Sequence, residues 1–322
     1  MAQVRTTGVS GRILSLAACT YTSMNNEDFP DIPLSMWRPT KDTLHLYCQI
    51  VGKIRLAMHP RLNHWWHVPL YVSPRGLTTR TIPYSGGNFE IEFDFQDHLL
   101  TARTSGGGYE EFALYDGLTV ADFYTSVFQN LAKLGIGPKI RPIPYEAPST
   151  TPFAENSENS SYDKEYVERF HETLVTVDDI LNEFRGRFLG KSTPVHMFWH
   201  SFDLALTRFS GKRAPVRDGA GLVEREAYSH EVISFGFWFG DDKVPTPAFY
   251  SYTAPEPAAL ASEPLSPPSA KWSESNGAHL ALFMYDEARG SDDPKQVVLD
   301  FLESAYQAGA RKARWNIREL TY

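Results

Sequence analysis

The stretch that decides the fold runs from Pro194 to Pro215 and reads PVHMFWHSFDLALTRFSGKRAP. It is rich in β-branched and aromatic residues and is bounded by turn-forming residues, so we expect one long strand. Because successive side chains of a strand point to opposite faces, His196 and His200 should share one face, and Trp199 and Asp203 should share the other. Two histidines and an aspartate in an aromatic strand predict a functional site.

The composition narrows the class of protein. The chain has 322 residues, a formal net charge of -8 and an aromatic content of 13%. The acidic balance argues against a broad basic surface for nucleic acid or an anionic membrane. The two cysteines, Cys19 and Cys48, argue against a disulfide framework, and no apolar run approaches the roughly 18 residues of a membrane span. We therefore expect a cytoplasmic protein with no nucleic-acid or membrane partner; nothing in the sequence indicates the oligomeric state.

Hydrophobic periodicity and turn residues predict the elements along the chain. In the first part we expect a helix over residues 40–57 that is capped by Thr40, and strands over 64–72 and 89–95. These are followed by a hairpin over 98–104 and 109–115, a helix over 120–134 that ends at Gly135, and an edge strand over 139–145. In the second part we expect a helix over residues 163–188 and the long strand over 194–215. Three more strands over 230–239, 248–253 and 279–285 follow, and then a helix over 294–308 that begins at Asp293-Pro294. The Pro-rich segment 254–275 is expected to be an extended loop that folds over a groove.

Both parts show the same order of helix, four strands and helix. Residues 63–66 align with 195–198, 113–116 with 283–286, and 121–124 with 299–302. This predicts an internally duplicated α+β protein, with two pseudo-symmetric halves that each carry a four-stranded antiparallel sheet and helices. Chance similarity of two α+β segments is the alternative. The predicted organisation is an N-terminal arm at 1–36, a first repeat at 37–146, a linker at 147–162 and a second repeat at 163–322.

Several motifs resemble a mostly bacterial family, domain of unknown function 5996. They include LHLYCQIVGKIRLA at 44–57, HWWHVPLYVSPRG at 64–76 and the stretch at 194–215. The resemblance spans residues 37 to about 310. It implies a soluble protein and carries over no activity and no catalytic residue. The family normally has a glycine where this chain has His200, so the resemblance assigns His200 no family-wide role.

The candidate site combines histidines, carboxylates and aromatic residues. Imidazole is the side chain whose unperturbed pKa lies near neutrality, so histidines next to carboxylates suit proton transfer. If the halves are related by a pseudo-twofold axis, His64 and His196 lie opposite each other. The predicted catalytic residues are His64, His196, Asp203, His230 and Glu231. The predicted ligand-binding residues are Trp66, His67, Trp199, His200, Arg208 and Tyr250.

Two functional classes follow from these residues. The first is a cofactor-free enzyme that uses acid–base chemistry on a small aromatic or anionic molecule, in a groove between the halves. The second is a non-catalytic protein that binds a small molecule in an aromatic pocket, with the histidines acting as buried hydrogen-bonding groups. A metal site is not expected, because His64 and His67 should point to opposite faces of a strand, and His196 and His200 should lie about 13 Å apart along one.

Overall fold

The computed structural model describes residue 24 and residues 28–147, 149–217, 219–275 and 277–322. Within these ranges the protein is α+β, with helices packed on two antiparallel sheets. The helices are α1 (Leu34–Met58), α2 (Val120–Lys133), α3 (Lys164–Gly186), α4 (Leu222–Ala227), α5 (Tyr285–Arg289), α6 (Pro294–Lys312) and α7 (Ile317–Leu320).

Each sheet has six strands rather than the predicted four. The first contains β1 (Tyr71–Ser73), β2 (Gly76–Thr78), β3 (Ile82–Tyr84), β4 (Gly87–Asp94), β5 (Leu99–Thr104) and β6 (Tyr109–Ala113). The second contains β7 (His196–Phe198), β8 (Asp203–Arg213), β9 (His230–Trp238), β10 (Ala248–Ala254), β11 (Lys271–Ser275) and β12 (Ala278–Met284). Their orders are β1-β2-β4-β5-β6, with β3 paired to β4, and β11-β12-β10-β9-β8-β7.

The two sheets meet at the edges formed by β1 and β7. Leu70 and Met197 exchange two backbone hydrogen bonds, with N···O distances of 2.9 and 2.8 Å. Because paired residues of antiparallel strands lie on the same face, the open face of one sheet continues into the open face of the other across this bridge. We call this junction the seam.

Each sheet has a helical face and an open face. On the helical face, Phe93 packs against Phe123 of α2, Phe235 against Phe184 of α3, and Phe283 against Phe301 of α6. The open face carries the alternate residues, including Glu90 and Glu92 of β4 and the aromatic and polar residues of the second sheet. The strand predicted at 89–95 is confirmed as β4; Phe89, Ile91 and Phe93 lie on its helical face, and Glu92 and Asp94 are buried on its open face.

The helix predictions are largely confirmed, because capping residues fix their starts. The side chains of Thr119, Asp163 and Asp293 accept hydrogen bonds from backbone N–H groups in the first turns of α2, α3 and α6. Helix α1 differs, since it starts at Leu34 and includes Pro39. Thr40 is therefore inside α1 and not its cap; its hydroxyl accepts a hydrogen bond from the amide of Asp163 at 3.0 Å.

The predicted strand at 64–72 is wrong for most of its length. Residues Asn63–Trp65 form a 3-10 turn in which His64 and Trp65 have left-handed φ values of 55° and 62°. Two consecutive residues in this conformation interrupt an extended backbone. The strand begins only at Tyr71. The edge strand predicted at 139–145 is also absent, since that described segment is irregular.

The Pro-rich segment 254–275 lies against α6 instead of folding over the open face. The amide of Ser266 donates to the Ser304 hydroxyl at 2.9 Å, and Glu263 pairs with Arg311 and Lys312 at 3.2 Å. Its last residues form β11, which pairs with β12. These contacts with α6 show that the expectation of a loop folded over a groove is wrong.

The predicted N-terminal arm lies mostly outside the described residues. From Asp28 onward the chain is packed, because Phe29 is fully buried and its ring contacts Tyr285 at 5.8 Å. The domain boundaries and the internal duplication remain predictions. No helix in the described ranges is long and apolar enough to cross a membrane.

Candidate functional site

A hairpin within the Pro194–Pro215 stretch brings the site together. The stretch forms β7 and β8 instead of one strand, and the chain reverses at residues 199–202, where Phe202 has a φ of 56°. In the resulting register His196 pairs with Ala205, and Phe198 pairs with Asp203. Paired residues of antiparallel strands share a face. The prediction that His196 and Asp203 point to opposite faces is therefore wrong, and both lie on the open face.

Asp203 is the acidic group at the centre of this face. Its side chain is 8% exposed and accepts short hydrogen bonds from the hydroxyl groups of Ser201 and Tyr250. Burial raises the pKa of Asp203 above its ordinary value, and these hydrogen bonds oppose that effect only in part. A carboxyl group in this environment keeps its proton to a higher pH than an exposed aspartate.

Tyr250 reaches Asp203 by lying across a whole strand. Tyr250 is on β10 and Asp203 on β8, so the ring must pass over β9, where its register partner is Gly236. A Cβ atom at Gly236 would lie 2.4 Å from Cζ of Tyr250 and 2.3 Å from the carbonyl oxygen of Leu204. Glycine is therefore required at 236 for the ring to lie flat and deliver its hydroxyl to the carboxyl group.

Further aromatic residues extend this arrangement along the open face. The rings of Tyr250 and Tyr252 are parallel with centroids 6.3 Å apart, and Trp238 lies 5.5 Å from Tyr250. The hydroxyl groups of Tyr252 and Tyr228 are 2.9 Å apart. Burial raises the pKa of both Tyr250 and Tyr252 well above the ordinary value, so these phenols stay protonated and act as hydrogen-bonding groups.

His196 is buried on the same face without a hydrogen-bond partner. The residue is 1% exposed, and neither Nδ1 nor Nε2 has a partner among the described residues. Burial, followed by the charges of Arg55 and Arg80, lowers the pKa of His196 to about 3, so the ring is neutral. Its nearest rings are Phe198 at 4.7 Å and Tyr71 at 6.2 Å. A buried polar side chain with no partner is costly, and a bound ligand would remove that cost.

His200 lies in the turn between β7 and β8, next to Asp203. Burial lowers its pKa, and the charges of Asp203 and Glu146 oppose this shift. The imidazole Nδ1 is 3.7 Å from a carboxylate oxygen of Glu146, while the carbonyl oxygen of His200 accepts from Nε2 of His45 at 3.0 Å. His200 therefore borders the site. Trp199 turns away from it, because its indole donates to the carbonyl oxygen of Val68 at 3.0 Å and packs on Gly52 of α1.

The match to a known family extends over the whole open face. The profile of a family of unknown function, DUF5996, matches residues 29–322. The chain belongs to this family. No curated protein matches the chain. The solved structures also contain no match. The family resemblance based on the motifs is thus confirmed, and the family assigns no activity to Asp203 or to any other residue.

Two of the other predicted histidines, His64 and His230, form a separate cluster at the other end of β9. His64 and His230 are in contact, with ring centroids 5.4 Å apart, and Nε2 of His64 lies 3.2 Å from Nζ of Lys191. Nδ1 of His64 is 3.2 Å from the carbonyl oxygen of Glu226. Because residue 64 is in a 3-10 turn and not in a strand, the prediction that His64 faces His196 is wrong. Trp66 belongs to this cluster, since Lys191 lies 5.0 Å from its ring.

Three other predicted residues lie away from the open-face site. Glu231 lies on the helical face, because it alternates with His230 along β9. Its carboxylate accepts a hydrogen bond from the Ser210 hydroxyl group at 2.8 Å. Arg208 is on the helical face as well, fully buried, with its guanidinium carbon 3.6 Å from the centre of the Phe184 ring. Nδ1 of His67 accepts from the amide of Leu62 at 3.2 Å. These contacts indicate packing roles.

The sequence interpretation missed Ser201 and Tyr228, and it missed Tyr71, Arg55 and Arg80 beside His196. A Ser two residues before an Asp is a recognisable turn signal, so Ser201 could have been found. The other four come from distant segments that only the seam and the strand register bring together. Within the described ranges no group of three or more His, Cys, Asp or Glu side chains is placed to hold a metal ion.

Proposed function

We propose that this protein is an enzyme that moves protons on a small molecule bound at the open face of the second sheet. In this proposal Asp203 is the group that donates and accepts the proton, and Tyr250 and Ser201 hold its carboxyl group. His200 borders the entrance. The proposal replaces the predicted histidine set by Asp203 as the central acid–base group, because His64, His230 and Glu231 lie elsewhere.

The observation that carries the proposal is the buried carboxyl group of Asp203. Enzymes that use a carboxyl group as a general acid raise its pKa by burial, and neighbouring hydroxyl groups then orient it. Asp203 has both features, since burial raises its pKa and two hydroxyl groups donate to it. The partly exposed Phe198, Trp238 and His200 lie nearby on β7, on β9 and in the β7–β8 turn.

The proposed substrate is a small molecule with a ring or an anionic group. The parallel rings of Tyr250 and Tyr252 and the neighbouring Trp238 offer faces for stacking a ring. A cytoplasmic setting is part of the proposal, because two cysteines in 322 residues give no disulfide framework. No nucleic-acid partner is proposed, since the net charge is -8.

The test is a search for turnover in a metabolite extract. Wild-type protein, Asp203→Asn and Tyr250→Phe are incubated with the same extract, and consumed and formed compounds are followed by mass spectrometry. We expect conversion by the wild type that falls by about 100-fold or more in Asp203→Asn, the usual effect of losing an acid–base group. Asp94→Asn is the matched control, since Asp94 is a buried aspartate on the open face of the first sheet.

Two results would contradict the enzyme proposal. One is the absence of any compound converted by the wild type, and the other is equal conversion by Asp203→Asn in a protein that retains its circular dichroism spectrum. Tyr250→Phe keeps the ring on Gly236, so it reports on the hydroxyl group even if Asp203→Asn folds poorly.

The second candidate is a non-catalytic binding protein, favoured by the row of tyrosines. Tyr228 is 39% exposed and its hydroxyl group reaches Tyr252, so an aromatic surface is presented to solvent. A binding protein would retain a small molecule in native mass spectrometry without converting it, and Tyr252→Ala would release the molecule while Asp203→Asn would not.

We also infer that the two halves are related by duplication, with a different correspondence from the one predicted. The observation that supports it is a reciprocal contact across the seam. His45 of α1 bonds the carbonyl oxygen of His200 in the β7–β8 hairpin at 3.0 Å, and His171 of α3 bonds that of Ser73 in the β1–β2 hairpin at 3.1 Å. A superposition of the halves in an experimental structure that failed to place His45 on His171 would contradict this inference.

A further inference from the structure

Two arginines and a tyrosine lie beside His196 at the seam. Tyr71 is the first residue of β1 and follows Leu70, so it lies on the open face next to His196. The guanidinium carbon of Arg80 is 3.6 Å from the centre of the Tyr71 ring, and that of Arg55 is 5.5 Å from it. Arg55 at the end of α1, Arg80 after β2 and His196 at the start of β7 come from three separate segments. Together they place positive charge and hydrogen-bond donors around the Tyr71 ring.

The charge of this group is unmatched. In the part of the chain that the structure describes, neither Arg55 nor Arg80 forms an ion pair with a carboxylate within 4.0 Å. Arg55 is only 3% exposed, donates to the carbonyl oxygen of Thr79, and has no partner for its Nε. Asp178 of α3 experiences the charge of Arg80 without forming an ion pair with it. A buried guanidinium without a counter-charge is unfavourable, so the arrangement calls for an anion.

We propose that Arg55, Arg80 and His196 form a subsite that binds the carboxylate or phosphate group of the small molecule on which the open face acts. This proposal rests on the proposed function and specifies its substrate class. The guanidinium groups supply forked donors that match the oxygens of such a group. A neutral imidazole can turn one N–H toward a third oxygen, which gives His196 the partner that it otherwise lacks.

The position of the subsite fits a ligand that reaches Asp203. His196 and Phe198 are two residues apart on β7, and Phe198 pairs with Asp203. Two residues of a strand span about 7 Å. An anionic group held beside Tyr71 would therefore leave the rest of a small molecule above Ala205, where the Asp203 carboxyl group and the Tyr250 hydroxyl group can reach it. The subsite would fix one end of the substrate and Asp203 would act on the other.

The experiment is a titration with two simple anions. Inorganic phosphate and acetate are titrated into the protein by isothermal calorimetry, with sodium chloride at matched ionic strength as the reference for non-specific effects. We expect at least one of the two anions to bind the wild type beyond the chloride reference. Stronger binding of phosphate indicates a phosphorylated substrate, and stronger binding of acetate indicates a carboxylic acid.

Arg80→Gln is the decisive variant, because Arg80 is exposed and its loss should leave the fold intact. We expect it to weaken binding of the preferred anion by about tenfold or more, as for the loss of a charge-assisted contact. Arg318→Gln, an exposed arginine on α7, is the matched control and should bind like the wild type. Binding of neither anion by the wild type, or unchanged binding by Arg80→Gln, would overturn the proposal.

Asp203→Asn separates this proposal from the proposed function. The substitution should leave binding of the anion within twofold of the wild type, because Asp203 is outside the subsite, and should lower turnover by about 100-fold or more. Anion binding that depends on Arg80, together with unchanged turnover in Asp203→Asn, would contradict the enzyme and support the subsite. Turnover that depends on Asp203 without any anion binding would support the enzyme and contradict the subsite.

Discussion

The open faces of the two sheets both carry buried polar groups, but the partners of these groups differ. On the first sheet the two buried acids are matched by arginines: Asp94 pairs with Arg75, and Glu92 with Arg103 at 3.0 Å. Among the described residues of the second sheet, Asp203 has no cationic partner within ion-pair distance, and His196 has no hydrogen-bond partner. An ion pair offsets part of the cost of burying a carboxylate, whereas buried polar groups without a partner are costly unless they serve a ligand. This difference is the reason for placing the proposed site on the second sheet.

The largest contrast is expected in the pH dependence of stability of two aspartate variants. Burial raises the pKa of Asp203, so the folded protein holds that proton more tightly than the unfolded chain. Asp203 therefore lowers stability as the pH rises from about 3.8, the ordinary value, through its folded pKa. Asp203→Asn should gain stability relative to the wild type over this window, as measured by urea unfolding at pH 4 to 8.

Asp94→Asn should show the opposite trend. Burial raises the pKa of Asp94, but the hydrogen bonds from Arg75 and from the amides of Asp97 and Gln96 outweigh it, and the net shift is downward. Asp94 thus adds stability that is present above the ordinary value of 3.8 and is lost as the pH falls through the lower folded pKa. Relative to the wild type the variant should lose stability as the pH rises. Slopes of the same sign in both variants would remove the contrast between the two faces.

Gly236→Ala tests the packing that is specific to the second face. A methyl group at 236 would meet the Leu204 carbonyl oxygen at 2.3 Å and the Tyr250 ring at 2.4 Å. Overpacking of this kind costs about 1–3 kcal/mol, and it should also displace the Tyr250 hydroxyl group from Asp203. Urea unfolding measures the first effect and turnover the second. Gly137→Ala, with no atom within 4 Å of its added methyl group, is the control. Equal stability of the two variants would mean that Tyr250 does not lie on Gly236.

How far the sequence predicts this architecture depends on local signals. The alternation from Phe89 to Phe95 and the Asp293-Pro294 helix start are local patterns, and they were predicted correctly. The hairpin at 199–202 was not, because an aromatic run without Gly or Pro looks like a continuous strand. Asp203 and Tyr250 were identified by residue type, yet their contact depends on Gly236 of a third strand. Arg55 and Arg80 carry no local signal at all.

His196 and His171 are two buried histidines, of which only His171 has a hydrogen-bond partner. Replacing His196 by Leu removes two buried polar atoms that lack hydrogen bonds, so the protein should become more stable by about 1 kcal/mol while losing anion binding. His171→Leu removes the 3.1 Å hydrogen bond between its Nε2 and the carbonyl oxygen of Ser73, so the protein should lose about 1 kcal/mol of stability. Chemical denaturation of both variants measures the two signs. Destabilisation by His196→Leu would indicate a hidden structural role for that imidazole.

The smallest effect is expected for Arg103→Gln on the first sheet. Arg103 is an exposed residue, with 45% of its side chain accessible, and its contact with Glu92 is an ion pair at 3.0 Å. Glu92 is buried but keeps the hydrogen bond from the Ser73 hydroxyl group, and solvent screens the guanidinium group of Arg103, so the loss should be about 1 kcal/mol or less. The loss should shrink further in 1 M salt, where the Debye length is about 3 Å. Turnover should stay unchanged, because the pair is on the matched face. A loss of turnover in Arg103→Gln, measured beside Arg80→Gln under the same conditions, would show that the first sheet also contributes to the site, and the distinction between matched and unmatched faces would then fail.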